Sequence, residues 1–407
     1  MKLLIAIPAL NEEDSIQSII TRSLGARTHI IASSPVTHVD ITVVSDGSTD
    51  DTVALARKYR DQIHLIVFES NRGYGAAIKE AWSQSNADLL GFLDADGTCD
   101  PEFFSQLCNA IVREAADVAL GCRMTATSRM PWLRRMGNRL FASMLTVLSS
   151  SGVRDTASGM RVVRRESLGK LLPLPDGLHF TPAMSARALM SKAVKIIEID
   201  MPYYEREGES KLRPGRDGLR FLKAIVDAAF LYRPARPLAI FGLFWLGVAI
   251  ALMITPTVYY LREHSVQEWM IYRFVVSHLA GTLAFLLLSA SYLTQKMVKI
   301  ALPDETARPT KTSLPEWFFS SRLVWVVSPL LLVAGGLLVL PSFLELVRTG
   351  ATYEHWSRFI AMSFCWSVAF ILLVTWLVDY TLGLVTAQLA FTKNILTSNK
   401  GKASRPF

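Results

Sequence analysis

Four apolar stretches in the second half of this chain constrain its fold more than any other feature. They run over residues 238–261 (LAIFGLFWLGVAIALMITPTVYYL), 274–293 (FVVSHLAGTLAFLLLSASYL), 323–346 (LVWVVSPLLLVAGGLLVLPSFLEL) and 359–378 (FIAMSFCWSVAFILLVTWLV). Each approaches or exceeds the roughly 20 residues that a helix needs to cross a bilayer. A helix on the surface of a soluble core would carry a polar stripe, and none of the four does. The second is the most interrupted, by Ser277, His278, Thr282, Ser289 and Ser291. The chain therefore reads as an integral, multi-pass membrane protein with an all-α C-terminal unit of four spans. Its charged residues crowd into residues 1–235.

The short loops fix an expected orientation. Residues 294–322 carry Lys296, Lys299, Arg308, Lys311 and Arg322, and the tail carries Lys393, Lys400, Lys402 and Arg405. The connections 262–273 and 347–358 hold two arginines each. The positive-inside rule then places the N-terminal half, the 294–322 connection and the tail in the cytoplasm, at a plasma membrane of bacterial or archaeal type. The start of the chain, MKLLIAIPALNEE, turns polar too soon for a signal peptide. Cys99, Cys108, Cys122 and Cys365 show no Cys-x-x-Cys spacing, so neither a zinc site nor a disulfide frame is indicated. The net charge of +8 suits anionic lipid headgroups or anionic substrates, and composition does not separate the two. Nucleic acid is not an expected partner.

In residues 1–122 short apolar strands alternate with helical patterns. Strands are expected at LLIAIP (3–8), VDITVVS (39–45), IHLIVFE (63–69) and DLLGFLD (88–94), with helices from about Glu12, Asp51, Tyr74 and Pro101. Such alternation predicts an α/β domain, a mostly parallel sheet covered on both faces, which binds ligands at the carboxyl ends of its strands. Those ends carry Pro8-Ala9-Leu10-Asn11-Glu12, Ser45-Asp46-Gly47, Asn71-Arg72-Gly73 and Asp94-Ala95-Asp96. Residues i and i+2 of an extended chain share a side, so Asp94 and Asp96 fall together, which is costly without a cation between them. A solvated acidic turn is the plain alternative, and the polar chemistry at every neighbouring strand end argues against it. No dinucleotide fingerprint or Gly-Lys-Ser/Thr loop is present. An EF-hand from Asp94 would need Gly and Glu where the chain has Cys99 and Ser105. An open magnesium or manganese site (Mg2+ or Mn2+) completed by substrate phosphates fits the oxygen donors better.

In order along the chain, PALNEE, SDGSTDD, NRGYGAAIKEA, FLDADGTCDP, GCR, DTASGMRVVRRE and REGESKL resemble the motifs of family-two glycosyltransferases with the GT-A fold. Within that family they are similar to the polyprenyl-phosphate branch, the dolichyl-phosphate-mannose synthase type. The resemblance covers about residues 1–215. It implies a nucleotide-sugar donor, a polyprenyl phosphate acceptor and contact with membrane lipids, and it is compatible with a homo-oligomer. By resemblance, Pro8, Leu10, Glu12 and Asp46 hold the nucleoside, and Asp94, next to Ala95, meets the ribose or sugar. Asp96 ligates the metal, with Thr98 where relatives often place a glutamine ligand. Arg123, Arg206 and Lys211 face the diphosphate and sugar. The family usually has an aromatic residue at the position of Leu10.

The segment 131–151 (PWLRRMGNRLFASMLTVLSSS) joins Arg134, Arg135 and Arg139 to an apolar helical series. It is either core packing or, as the resemblance implies for Arg135 and Asn138, the place where an acceptor phosphate is met. Ser158 and Arg161 in DTASGMR fall on the acceptor side of the same resemblance, and Asp155 is a candidate base or acceptor organiser. It is equally a candidate helix cap or partner of Arg161. Residues 218–233 read as an amphipathic helix in the membrane plane or, alternatively, packed on the soluble domain. The expected organisation is a cytoplasmic GT-A domain at 1–215, a juxtamembrane helix and hinge at 216–236, the four-span domain at 237–390 and a tail at 391–407. Catalysis would fall to Asp96, Asp155, Arg206 and Lys211 in an inverting displacement. Alternatives are transfer to a lipid or glycan hydroxyl, or a membrane transporter or scaffold with a degenerate transferase domain. The Gln-x-x-Arg-Trp signature of processive relatives is absent.

Overall fold

A strand reads as continuously apolar when both faces of its sheet are covered, and the central strands of this protein are buried at nearly every position. The structure is a computed structural model. It describes residues 1–125, 128–149, 151–206, 211–303, 317–319, 323–352 and 355–403. Arg308, Lys311, Arg322, Arg405 and residues 207–210 of REGESKL lie outside these. The chain divides into two compact units, Met1–Tyr232 and Arg233–Phe407.

The first unit begins with β1 (Lys2–Ala9), α1 (Ile16–Ser33), β2 (His38–Ser45), α2 (Thr52–Arg57), β3 (His64–Val67), α3 (Tyr74–Ser83) and β4 (Leu89–Leu93). A single turn at Pro101–Phe103, capped by the Asp100 carboxylate accepting from the Glu102 N–H, leads into α4 (Phe104–Arg113). There follow β5 (Val118–Cys122), α5 (Trp132–Ser149), β6 (Met160–Arg164), α6 (Leu168–Leu171), α7 (Phe180–Met190), β7 (Ile196–Asp200) and α8 (Pro214–Tyr232). Alternation along β1 sends Leu3, Ile5 and Ile7 towards Ile16, Ile19 and Leu107 of α1 and α4, and Leu4 and Ala6 towards Ile78, Trp82 and Phe180 of α3 and α7.

The seven strands lie in the order β3-β2-β1-β4-β6-β5-β7. All neighbours are parallel except β6, which runs antiparallel to both β4 and β5. This α/β arrangement is a mixed but mostly parallel sheet with helices on both faces. The reversal of β6 matters for the site. It pairs Met160 with Leu93, so the amino end of β6 lies at the same sheet edge as the carboxyl ends of β1, β2, β4, β5 and β7. α8 packs on α5 and α7, with the Phe141 and Phe221 rings 5.9 Å apart. Its apolar residues divide: Phe221, Ile225 and Ala228 are buried, whereas Leu219, Val226 and Phe230 are exposed.

Among the described residues, the second unit has four helices long and apolar enough to cross a membrane. They are α9 (Ala235–Glu263), α10 (Ile271–Ala301), α11 (Leu323–Thr349) and α12 (Trp356–Ala403). α10 packs on α9 and α12, and α12 on α11. Glycines permit close helix approach, as at Gly281, where a Cβ would fall 2.7 Å from the Phe364 ring. Polar side chains pair across helices: Ser277 donates to the Ala249 carbonyl (2.9 Å), and Tyr292 and Lys296 both donate to Asp379 (2.6 and 2.5 Å).

Candidate active site

At the shared strand edge, the loop after β4 turns on Gly97, whose φ of +72° suits glycine. Arg22, on α1, pins this loop by donating to the carbonyls of Gly97 (3.1 Å) and Cys99 (3.0 Å). Within it the Thr98 hydroxyl donates to Asp96 Oδ1 at 2.6 Å. The segment after β7 crosses alongside, with the Tyr204 N–H donating to the Thr98 carbonyl (2.9 Å). That crossing delivers Arg206, which donates to Asp96 Oδ2 (2.8 Å) and to Glu12 Oε1 (2.9 Å). Lys211 donates to the Asn11 carbonyl next to Glu12 (2.9 Å). Residues far apart in sequence, Glu12, Asp96, Thr98, Arg206 and Lys211, thus meet in one place. Burial pushes the Glu12 carboxyl above its usual range, against the pull of Arg206 and Lys211.

Asp94 lies deeper. Burial, reinforced by the charge of Asp96, raises its carboxyl to about 7. Tyr74, at the start of α3, donates to Asp94 Oδ1 at 2.6 Å. Gly159 abuts the same carboxylate so closely that a Cβ there would fall 1.7 Å from Oδ2. Asp46 accepts from the N–H groups of Arg72 (2.7 Å) and Gly73 (2.9 Å), and burial raises its carboxyl too. Gly73 has φ +109° and its Cβ would strike the Asp176 carbonyl, so the loop receiving Asp46 requires glycine. Pro8 is buried near the end of β1, Leu10 half-buried just beyond it and Ala95 buried between the two acids.

A third group surrounds Asp155, which is fully buried. Arg123, at the end of β5, holds it with Nε (2.7 Å), Nη2 (2.9 Å) and its own N–H (3.0 Å). Asn138 of α5 donates to Asp155 Oδ1 (3.0 Å) and accepts from the Thr156 N–H and hydroxyl (3.0 and 2.7 Å). Despite burial, Arg123 keeps the Asp155 carboxyl below its usual value, and the Arg123 guanidinium is held above its own.

Two sequence-predicted acceptor residues lie elsewhere. The antiparallel register pairs Arg161 with Phe92, inside the sheet. There it donates to the carbonyls of Ser158 (3.1 Å) and Thr156 (2.8 Å) and to the Ser185 hydroxyl (2.9 Å). The Ser158 hydroxyl donates to the Gly121 carbonyl at 2.6 Å. Both side chains are fully buried, so the structure puts them beneath the site and not on its surface. Arg134 and Arg135 are half-buried on α5, Arg135 donating to the Ser128 carbonyl (2.9 Å). Around them Trp132, Leu133, Met136 and Leu140 are exposed. Sequence reasoning assigned no role to Arg22, Tyr74 or Gly159. Tyr74 and Gly159 stand inside the motifs NRGYGAAIKEA and DTASGMR, but nothing local indicates that both converge on Asp94.

Among the described residues no group of three His, Cys, Asp or Glu side chains is arranged to hold a metal ion. The donors present nevertheless suit a hard divalent cation. The carboxylate of Asp96 and hydroxyl of Thr98 are oxygen ligands, and magnesium or manganese usually takes one or two protein carboxylates and completes its shell from phosphates and water. Burial raises the carboxyls of Asp94, Glu12 and Asp46, and Arg206 is the cation between Glu12 and Asp96.

Residues 4–172 match the family model for glycosyl transferase family 2. Over 201 residues the chain is 30% identical to a low-salt glycan biosynthesis hexosyltransferase of Haloferax volcanii, a match spanning 48% of this chain and about half (46%) of that relative. It is 30% identical over 212 residues to a dolichyl-phosphate hexose transferase of the same organism, covering 50% of this chain and 83% of the relative. It is 31% identical over 217 residues to the polyprenol monophosphomannose synthase of Mycolicibacterium smegmatis, covering 50% and 78%.

Proposed function

This chain belongs to glycosyl transferase family 2, and from that premise we propose that it moves a sugar from a UDP- or GDP-sugar to a polyprenyl phosphate of the undecaprenyl or dolichyl type, at the cytoplasmic face of a membrane. The observation that carries the donor half is the bridge of Arg206 between Glu12 and Asp96, with Lys211 beside it. Acids and bases so placed suit a nucleoside diphosphate and its counter-cation. The acceptor half is supported by the dolichyl-phosphate and polyprenol relatives, and by the exposed apolar residues of α5 around Arg134 and Arg135.

An acceptor phosphate oxygen attacks the anomeric carbon while the bond from that carbon to the diphosphate oxygen breaks, inverting the centre. The electron pair leaves with the nucleoside diphosphate. A phosphate monoester is already anionic, so no base is needed, and positioning with charge neutralisation carries the step. Glu12 and Asp46 hold the nucleoside end, and Asp94, aligned by Tyr74, holds the sugar. Arg206 turns from the two acids to the leaving diphosphate, with Lys211 assisting. Bound at Asp96 and Thr98, magnesium or manganese would neutralise further diphosphate charge. Asp155 acts as a positioning residue that aims Arg123 and ties α5 to the loop before β6. Ser158 and Arg161 support that loop from below.

The test offers the full-length protein a prenyl phosphate and the matching prenyl alcohol with each nucleotide-sugar. Transfer to the phosphate alone is the expected result. Transfer to the alcohol would overturn the acceptor assignment and require a base.

A further inference from the structure

The segment after β7 carries a polar group to which the transfer reaction gives no task. Residues 201–204 run from the strand end that bears Arg123 to the loop that bears Asp96. The Met201 N–H donates to the Cys122 carbonyl and the Tyr204 N–H to the Thr98 carbonyl, each at 2.9 Å. Tyr203 stands between these two anchors. Neighbours in an extended chain face opposite ways, and the two tyrosines divide accordingly: Tyr204 is 48% exposed and Tyr203 only 9%. The Tyr203 ring belongs to the apolar cluster that includes Cys99, Phe103 and Met201. The Arg123 guanidinium lies over its face, 5.5 Å from the ring centroid, in a cation–π contact.

A phenylalanine would fill that apolar setting and keep the contact with Arg123. The hydroxyl is what needs a reason. Among the described residues it makes no hydrogen bond. A polar group so far withdrawn from water is costly without a partner. The acids beside it already have their donors, Tyr74 on Asp94, and Thr98 and Arg206 on Asp96. Burial pushes the phenol above its usual range, so it stays a neutral donor. The charges that act on it are Arg123 first, then Asp96 and Asp94. The hydroxyl therefore stands where the Arg123–Asp155 pair meets the two acids that end β4.

We propose that the Tyr203 hydroxyl binds the transferred sugar, donating to one of its hydroxyl oxygens, and so helps to set which sugar is accepted. Arg123 is already neutralised by Asp155, and the other charges on the phenol are carboxylates. Those surroundings favour a neutral oxygen over an anionic phosphate. A hydroxyl can also both accept and donate, which suits a place between a phenol and carboxylates. Naming the ligand as a sugar rests on the glycosyl-transfer reading above. The unpartnered donor between the two groups does not.

The experiment compares the full-length parent with Tyr203→Phe, which removes the hydroxyl and keeps the ring beneath Arg123. The probes are the donor that supports transfer among UDP- and GDP-sugars, each of its monodeoxy forms, and UDP or GDP alone, with prenyl phosphate and prenyl alcohol as acceptors. Sugar-transfer kcat/KM should fall about tenfold in Tyr203→Phe, the worth of one hydrogen bond. Inhibition by UDP or GDP, the KM for prenyl phosphate and the apparent melting temperature should stay as in the parent. With one monodeoxy donor, parent and variant should be equal, because the oxygen that meets the phenol is missing from that sugar. Equal kcat/KM on the complete sugar would mean that the hydroxyl meets only water and would overturn the proposal. A loss that persists with every monodeoxy donor, or that appears in the KM for prenyl phosphate instead, would overturn it too. Transfer to the alcohol with the same deoxy-selective loss would uphold Tyr203 as a sugar ligand and overturn the proposed acceptor. Transfer to prenyl phosphate that is indifferent to Tyr203→Phe would do the reverse.

Discussion

Gly159 is the residue whose replacement most directly tests how Asp94 is held. A methyl at that position would overlap the carboxylate, so Gly159→Ala must move Asp94 or the loop before β6. A displacement near 1 Å costs about 100-fold in rate, and strain from overpacking costs about 1–3 kcal/mol. Sugar-transfer kcat/KM should fall by about that factor, with a modest drop in apparent melting temperature. Asp94 also makes a prediction in pH. Its folded-state value of about 7 lies above the ordinary 3.8, so the folded chain keeps a proton that the unfolded chain has released. Stability from this group is full below the unfolded value and is lost as pH rises through about 7. Without metal, Asp94→Asn should therefore melt higher than the parent at about pH 8 and show little difference at about pH 4. Glu12 and Asp46 are shifted in the same direction, so the pH slope should shrink and not vanish. An unchanged slope would mean that Asp94 is not its source.

Among the elements, the reversed strand β6 decides what reaches the site. Because it begins where its neighbours end, the loop carrying Asp155 arrives beside Arg123. Removing one partner of a buried ion pair costs about 3–5 kcal/mol. Asp155→Ala should lose stability of that order, and Asp155→Asn should lose less while its residual transfer keeps the parental pH profile. A stable Asp155→Asn protein with no transfer would instead indicate a base. The first four strands and the polar edge they share were legible in the sequence, since each is a short apolar run followed by turn chemistry. β6 was not, because MRVVR presents arginine at an interior position, and only the register shows that Arg161 is satisfied there by carbonyls and a hydroxyl. The resemblance put Arg161 and Ser158 on the acceptor side, and it is the register of β6 that shows both buried. α5 and α8 were legible as amphipathic but not in which side they bury, because each packs one part of a wide apolar arc on its neighbour and exposes the rest.

At the scale of the molecule, the four long apolar helices follow the four stretches apparent in the sequence, where length and composition suffice. Orientation is open to chemistry. Cys99, Cys108 and Cys122 are buried and Cys365 is half-buried, so background labelling should be low. In sealed vesicles with the cytoplasmic face inward, single cysteines at Ser265 and Gly350 should react with an impermeant maleimide, and one at Asp61 should not react until the membrane is opened. The opposite pattern would reverse the topology.

The most direct measurement of all gives purified full-length protein a polyprenyl phosphate and a panel of UDP- and GDP-sugars with magnesium or manganese, and weighs the lipid products. The expected result is one lipid-linked monosaccharide at the mass of a sugar phosphodiester, abolished by chelation and in Asp96→Asn. A lipid product that persists undiminished in Asp96→Asn, or donor consumption with no sugar on the lipid phosphate, would contradict it.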